Sequence, residues 1–312
     1  MKIGAYRIIL HEFGVLNYIK VMMFLKYFGL KIRFTDISKS RTIKLNGLDF
    51  STIPNDKGIS AELLIFGTHE PITTQLLTKE LKNGMVCLDI GANIGYYACL
   101  ESTIVGDDGM VYAIEASPLN FQTLKKNITL QGKSNIKFYN FACGDKEDTM
   151  TFLTTEKSNR SKILDEDTVF ENKDKIKYED KVPQKTIDSF LEEEKINKVD
   201  LIRMDTEGYE YKILQGMKGT LLKFKPLISF ELHKEALGKE KTENLLNFLK
   251  NQGYEAKYYL PRRLDMPIVG TRKMVKNLRI NDIIKKLDDN ILPNVILLFM
   301  ENKKNNPKSL YF

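Results

Sequence analysis

An apolar run, Met85–Ile90, passes through Asp89 into Gly91-Ala92-Asn93-Ile94-Gly95. Glycines permit positive φ and let backbone approach a ligand closely. A loop of this kind at the carboxyl end of a strand is where open α/β sheets bind ligands. Glu115 follows at the end of the next apolar run. An acid about 20 residues past such a loop can accept both hydroxyls of a ribose; its bland reading is a solvated helix-capping acid. Asp89 either orients the loop or meets a ligand ammonium group. The third glycine of the dinucleotide fingerprint is missing, which makes a nicotinamide dehydrogenase a distant reading. Further along, Asp205, Glu207, Glu231 and His233 close two more apolar runs. Groups at those strand ends are placed for proton transfer.

The elements that must position these residues follow a regular rhythm from about residue 71. Pro71 starts a helix carrying Ile72, Leu76 and Leu77. A helix from about Ile94 to Ile104 follows the glycine loop, and Val111–Ile114 is the next strand. Ser117-Pro118 reads as an N-cap followed by proline at the first helical position, with Gly132 ending that helix. Ile136–Phe141 is a third strand. After a break come helix Ile187–Glu194, strand Val199–Met204, helix Glu207–Leu214, strand Leu227–Leu232 and a helix ending near Gly253. Tyr254–Leu260 and Asn294–Met300 form a last, hairpin-like pair across a basic connection. Alternating strands and helices predict an α/β fold: a doubly wound, mostly parallel sheet covered on both faces, with an antiparallel last strand.

Two regions fall outside the rhythm. Residues 1–60 are expected to form an N-terminal extension, an apolar helix followed by short strands with an Asn46-Gly47 hairpin turn. Residues 61–312 are expected to form the main domain, with a polar insertion at about 156–183. That insertion, with Arg160, Asp165, Glu166 and Asp167 among its charges, reads as a mobile solvated loop, a lid or an acceptor-binding segment. In residues 6–30, Arg7, His11, Glu12, Lys20 and Lys26 interrupt the apolar character, which argues against a membrane span. Val21, Phe24, Leu25 and Phe28 recur at helical spacing; such a stripe packs on a core or a partner, and peripheral membrane contact is the second reading.

The chain has 312 residues, 42 % of them hydrophobic, and a net charge of +7. The charge is scattered, with no dense Arg tract, so a nucleic-acid partner is not expected. Cys87, Cys99 and Cys143 show no CxxC spacing; they read as small buried hydrophobes in a reducing compartment. No zinc signature is present and no metal is expected, although oxygen ligands in the acidic cluster are the place one would sit. A cytoplasmic location is expected, with peripheral contact at the inner face of the membrane as the second reading. The oligomeric state is left open.

The chain resembles the FkbM family of methyltransferases. The matching pieces are Asp89 through Gly95, Glu115 with Pro118, Asn120, Leu124 and Asn127-Ile128, and Asn140-Phe141-Ala142 with Gly144-Asp145. Then come Met204-Asp205-Thr206-Glu207-Gly208-Tyr209-Glu210, Glu231-Leu232-His233 and, upstream, Glu70-Pro71. Arg203 stands where the family usually has lysine, His69 where an aromatic is common and Ala116 where proline is frequent. The resemblance implies a Rossmann-like class I methyltransferase sheet, S-adenosylmethionine as cofactor and O-methylation as reaction. It implies Asp89, Gly91, Ala92, Asn93, Gly95, Glu115, Ala116, Ala142 and Glu70 as cofactor-binding residues. Family acceptors are often sugar hydroxyls in glycans, glycolipids or glycosylated metabolites. RNA ribose methylation and a non-catalytic binding module are the alternatives.

Methyl transfer to a hydroxyl needs a base. His233 is expected to fill that role, neutral and accepting at pH 7. Glu231, two residues away, faces the same side of a continuing strand. Asp205 would touch the acceptor or the methionine end of the cofactor. His69 is a weaker rival base. Glu207 and Glu210 read as helix-start acids that complement the helix dipole, the preferred reading for Glu210.

Overall fold

The computed structural model describes residues 3–158, 161–164, 176–267, 269 and 274–303, with residues 3–7 as backbone only. Residues 165–175, the middle of the expected insertion, and Arg160 lie outside the described residues.

Helix α1 (Ile3–Phe34) breaks at Gly14, where φ is 82°. Strands β1 (Thr42–Leu45) and β2 (Leu48–Ser51) pair antiparallel. Asn46 and Gly47 both take positive φ, as a tight hairpin turn requires. Helix α2 (Ile59–Phe66) and helix α3 (Pro71–Glu80) lead into β3 (Val86–Ile90). The N-terminal backbone amides of α3, Ile72 and Thr73, donate to the Asp265 carboxylate at 2.7 and 2.9 Å.

The chain then alternates α4 (Tyr96–Val105), β4 (Met110–Ile114), α5 (Pro118–Gln131) and β5 (Ile136–Tyr139). Ser117 caps α5 through the Asn120 amide, Pro118 opens it, and Gly132 ends it in the left-handed region. The third strand is shorter than expected. Ala142 and Cys143 leave it as β6 (Ala142–Cys143), which joins β7 (Asp148–Thr155), β8 (Lys162–Leu164) and β9 (Ile176–Lys185) in a small sheet ordered β6-β9-β7-β8. Within the expected loop, residues 162–164 and 176–183 are therefore strand. Their inner face, with Phe152, Ile163 and Val182, packs into the main core. Lys177, Glu179 and Lys181 of β9 are exposed, and these charges hide the strand period from a sequence reading.

The remainder is α6 (Ile187–Glu193), β10 (Leu201–Met204), α7 (Glu210–Gln215), α8 (Lys218–Phe224), β11 (Leu227–His233), α9 (Lys234–Asn251), β12 (Tyr254–Pro261), α10 (Ile280–Asp288) and β13 (Val295–Asn302). The main sheet runs β12-β13-β11-β10-β3-β4-β5. Neighbours from β11 to β5 are parallel, and β13 is antiparallel to both β11 and β12. Both faces are covered, as a parallel core demands. Along β3, Leu88 and Ile90 enter the core that includes α6 and α9, while Cys87 enters the core that includes α3, α4 and α5. All three cysteines are buried and free. The chain winds outward from β3 in both directions, so the crevice between β3 and β10 is the topological switch point.

Val21 and Phe24 of α1 are buried, and Leu25 and Phe28 pack against the same core. The expected stripe therefore faces the protein. By length and composition alone, Ile8–Phe34 suffices to cross a membrane, which the charge count had argued against.

Candidate active site

The glycine loop turns at the carboxyl end of β3. Gly91, Asn93 and Gly95 take φ of 77°, 53° and 87°. Gly91 and Ala92 donate to the Ile114 carbonyl, which ties the loop to β4. At Gly91 a Cβ would stand 2.1 Å from the backbone oxygen of Asp205, across the switch point. Loop and β10 thus meet without side-chain room between them. Gly91→Ala should abolish S-adenosylmethionine binding by calorimetry and lower the melting temperature. Unchanged binding would show that the loop tolerates displacement and is not the binding element.

Glu115 ends β4. Its two carboxylate oxygens accept the Asn93 and Ser117 amides, each at 2.8 Å. Burial raises its pKa to about 7, against the lowering effect of those amides. It lines a narrow cleft with Gly91, Asn93, Ala116, Asn120 and Ala142. The Oδ1 atoms of Asn93 and Asn120 are buried without a hydrogen-bond partner among the described residues. Buried acceptors of this kind call for a ligand that donates. A ribose diol and an adenosine group supply such donors, so the residues present fit the expected cofactor. Ile163 of β8, with Ser158 and Ser161 from between β7 and β8, also lines this cleft.

Not every expected cofactor residue reaches the cleft. Asp89 is fully buried, and its Oδ1 accepts from Arg203 at 2.9 Å, where β10 pairs with β3. It lines neither the cleft nor the neighbouring cavity, and its side-chain partner is Arg203 on β10. Glu70 lies in the neighbouring large cavity. There it accepts from the Tyr97 hydroxyl at 2.7 Å and from Arg262 at 2.6 Å. Burial would raise its pKa, but Arg262 and His69 hold it well below the usual carboxylate range. His69 stands 3.0 Å from both Glu62 and Glu70, one carboxylate at each ring nitrogen. Burial disfavours its charged form, yet those two carboxylates raise its pKa well above the ordinary value. Both ring nitrogens are thus engaged by carboxylates, which weighs against its role as a rival base.

The cavity, about 550 Å³, shares Gly91, Asn93, Asp205 and Glu207 with the cleft. It also takes in Glu231 and His233. His233 ends β11 and is buried, with Nδ1 2.9 Å from Glu210 Oε1. Nε2 stands 3.6 Å from both Glu207 and Glu231. Burial favours the neutral ring, but Glu210, Glu207 and Glu231 outweigh it and raise the pKa well above 6.5. The direction of this shift runs against the neutral imidazole expected at pH 7. Burial pushes Glu231 up, Arg262 pulls against it, and Asp205 and Glu70 add to the rise. Asp205 Oδ2 lies 3.5 Å from Arg203, while Oδ1 has no hydrogen-bond partner among the described residues.

Three functional neighbours were not foreseen. Glu210 was read as a helix-start acid, but it is fully buried and accepts from the Gly208 amide, Thr206 and His233. Arg262, just past β12, clamps Glu70 and Glu231, each at 2.6 Å. Tyr97 carries the Arg203 guanidinium 4.0 Å over its ring. Asp205, Glu231 and His233 each offer one ligand atom, all within 4.8 Å of one another, so these are the residues that could hold a metal ion.

The methyltransferase FkbM domain matches residues 89–256, more than half of the chain. A hexuronic acid methyltransferase, AglP of Haloferax volcanii, is 27 % identical over 149 residues, 47 % of this chain and 56 % of that protein. A protein-L-isoaspartate O-methyltransferase of Fervidobacterium nodosum is 44 % identical over 57 residues, 18 % of this chain and 29 % of its own. The chain thus spans less than two thirds of the length of these curated relatives. A crystal structure of a methyltransferase FkbM from Methylobacillus flagellatus KT is 14 % identical with a TM-score of 0.42, covering 70 % of this chain and 44 % of that one. This chain belongs to the FkbM family of S-adenosylmethionine-dependent methyltransferases.

Proposed function

We propose that the enzyme methylates a hydroxyl of a sugar, in a glycan, glycolipid or glycosylated metabolite, with His233 as the general base. The observation that carries this reading is the placement of His233 in the lining of the large cavity, with Glu210 fixed on its Nδ1. A carboxylate on one ring nitrogen orients the ring and stabilises the imidazolium that forms when the other takes a proton. The cavity volume lies in the range of about 300–1,000 Å³ that suits a small-molecule site. Its polar lining, with Glu70, Glu231 and Arg262, offers donors and acceptors that match hydroxyls. The hexuronic acid methyltransferase relative supports the sugar class.

The bound cofactor supplies an electrophilic methyl group on a sulfonium. Glu115, Asn93 and Asn120 would hold its ribose and adenosine, and Asp205 faces the junction of cleft and cavity. His233 takes the acceptor proton at Nε2. Its raised pKa limits that step at neutral pH, and a positive charge bound nearby would lower it toward the working range. Alignment of attacker and methyl carbon supplies the rest of the rate.

The test is a panel of uronic acid-bearing and neutral glycosides, with an isoaspartyl peptide and an RNA as competitors. A methyl ether on a sugar carbon supports the proposal. A carboxyl ester or a ribose 2′-O-methyl product overturns it. The general-base role also predicts that a chelator leaves turnover unchanged. Loss of turnover restored by Mg²⁺ would make Asp205, Glu231 and His233 metal ligands instead.

A further inference from the structure

We propose that the outward face of α1 is a docking surface for an anionic membrane. Val21 and Phe24 bury the inner face. The outer face exposes Leu16, Ile19, Met23, Tyr27, Leu30 and Phe34, with Leu16 at 66 %, Met23 at 65 % and Phe34 at 81 % exposure. At about 100° per residue these six side chains fall within a sector of about 80°. They form one continuous apolar stripe after the break at Gly14.

Charge selects the occupant. Lys20 and Lys31 border the stripe on one side, and Lys26 and Arg33 on the other; all four are exposed. Residues 13–35 contain no Asp or Glu. A narrow apolar stripe with cations along both edges fits a lipid surface: the apolar groups enter the acyl boundary while the long basic side chains reach the headgroups. The helix cannot both cross a bilayer and keep its present contacts, because its inner face is core and Glu12 pairs with Lys286 and Lys276. It therefore lies flat, parallel to the membrane plane. Phe24, Leu25 and Phe28, on the opposite side, line the large cavity. One helix thus forms a wall of the acceptor cavity and the docking face, and docking brings that cavity beside the bilayer.

The test is flotation of the full chain with phosphatidylcholine vesicles, with and without phosphatidylglycerol. The expected result is co-flotation with the anionic vesicles, weakened by salt. Leu16→Gln/Met23→Gln/Leu30→Gln, at exposed positions, should lose flotation while still binding S-adenosylmethionine. Lys20→Glu/Lys31→Glu should weaken binding to anionic vesicles by about tenfold or more, since each basic residue near the surface contributes to the attraction. Failure of the wild-type chain to float, or equal flotation of both variants, overturns the proposal. A dimer in sedimentation that the triple variant breaks, without flotation of the wild type, assigns the face to a second copy instead. Neither outcome touches the methyl-transfer reading, which is assayed separately.

Discussion

Glu115→Ala will weaken S-adenosylmethionine binding by about 10²- to 10⁴-fold, because hydrogen bonds to a charged group are worth about 1.5–3 kcal/mol each and two are lost. The carboxylate also holds the Asn93 and Ser117 amides, so part of the loss comes from a slackened loop. The pH dependence separates ligand contact from loop support. Burial raises the Glu115 pKa to about 7 in the free protein. A diol that donates to it favours the ionised form, so binding should strengthen as pH rises through about 7 and release a proton near that pH. Calorimetry in buffers of different ionisation heat reads that proton directly. Wild-type affinity that is flat from about pH 6 to 8.5, a window spanning the raised pKa, would remove Glu115 from the ligand. An alanine variant that binds normally would do the same.

His233→Ala carries the second large effect. Loss of a general base typically costs about 10²–10⁴ in turnover, with S-adenosylmethionine binding retained. The pH profile is the finer readout. Glu210, Glu207 and Glu231 raise the His233 pKa, so its base form grows on the alkaline side of neutrality. The log of kcat/KM should rise with pH and level off above the ordinary histidine value. Glu210→Gln removes a negative charge that stabilises the imidazolium, so the rising limb should move toward lower pH while maximal turnover falls. A role for Glu210 confined to packing would lower turnover without moving the limb. A His233→Ala enzyme with wild-type turnover would pass the base role to Asp205 or to solvent.

Features written in contiguous residues were legible in the sequence. Asp89 to Gly95, Ser117-Pro118 and Asn46-Gly47 each carry their backbone geometry locally, through positive φ, a cap or a fixed proline. Glu115 could be found because strand and loop lengths in this fold are short and regular. The start of α7 was misplaced at Glu207, because Glu207 and Gly208 take positive φ of 54° and 108° and the helix begins at Glu210. That shift turns Glu210 from a surface acid into the partner of His233. Arg262 and Asp265 reach the site across about 190 residues of chain, to Glu70 and to the start of α3. No local pattern encodes such a contact. β8 and most of β9 fall within the expected loop because the solvent side of β9 is largely charged and only alternate positions such as Val182 and Gln184 turn inward.

The most direct test of the account is a crystal structure with S-adenosylhomocysteine bound. The account predicts ribose hydroxyls on Glu115, adenosine toward Ala116 and Ala142, and sulfur at the junction where Asp205 faces the cavity of His233. A product bound wholly in the large cavity, away from Glu115, or with its sulfur turned from Asp205 and His233, would contradict it.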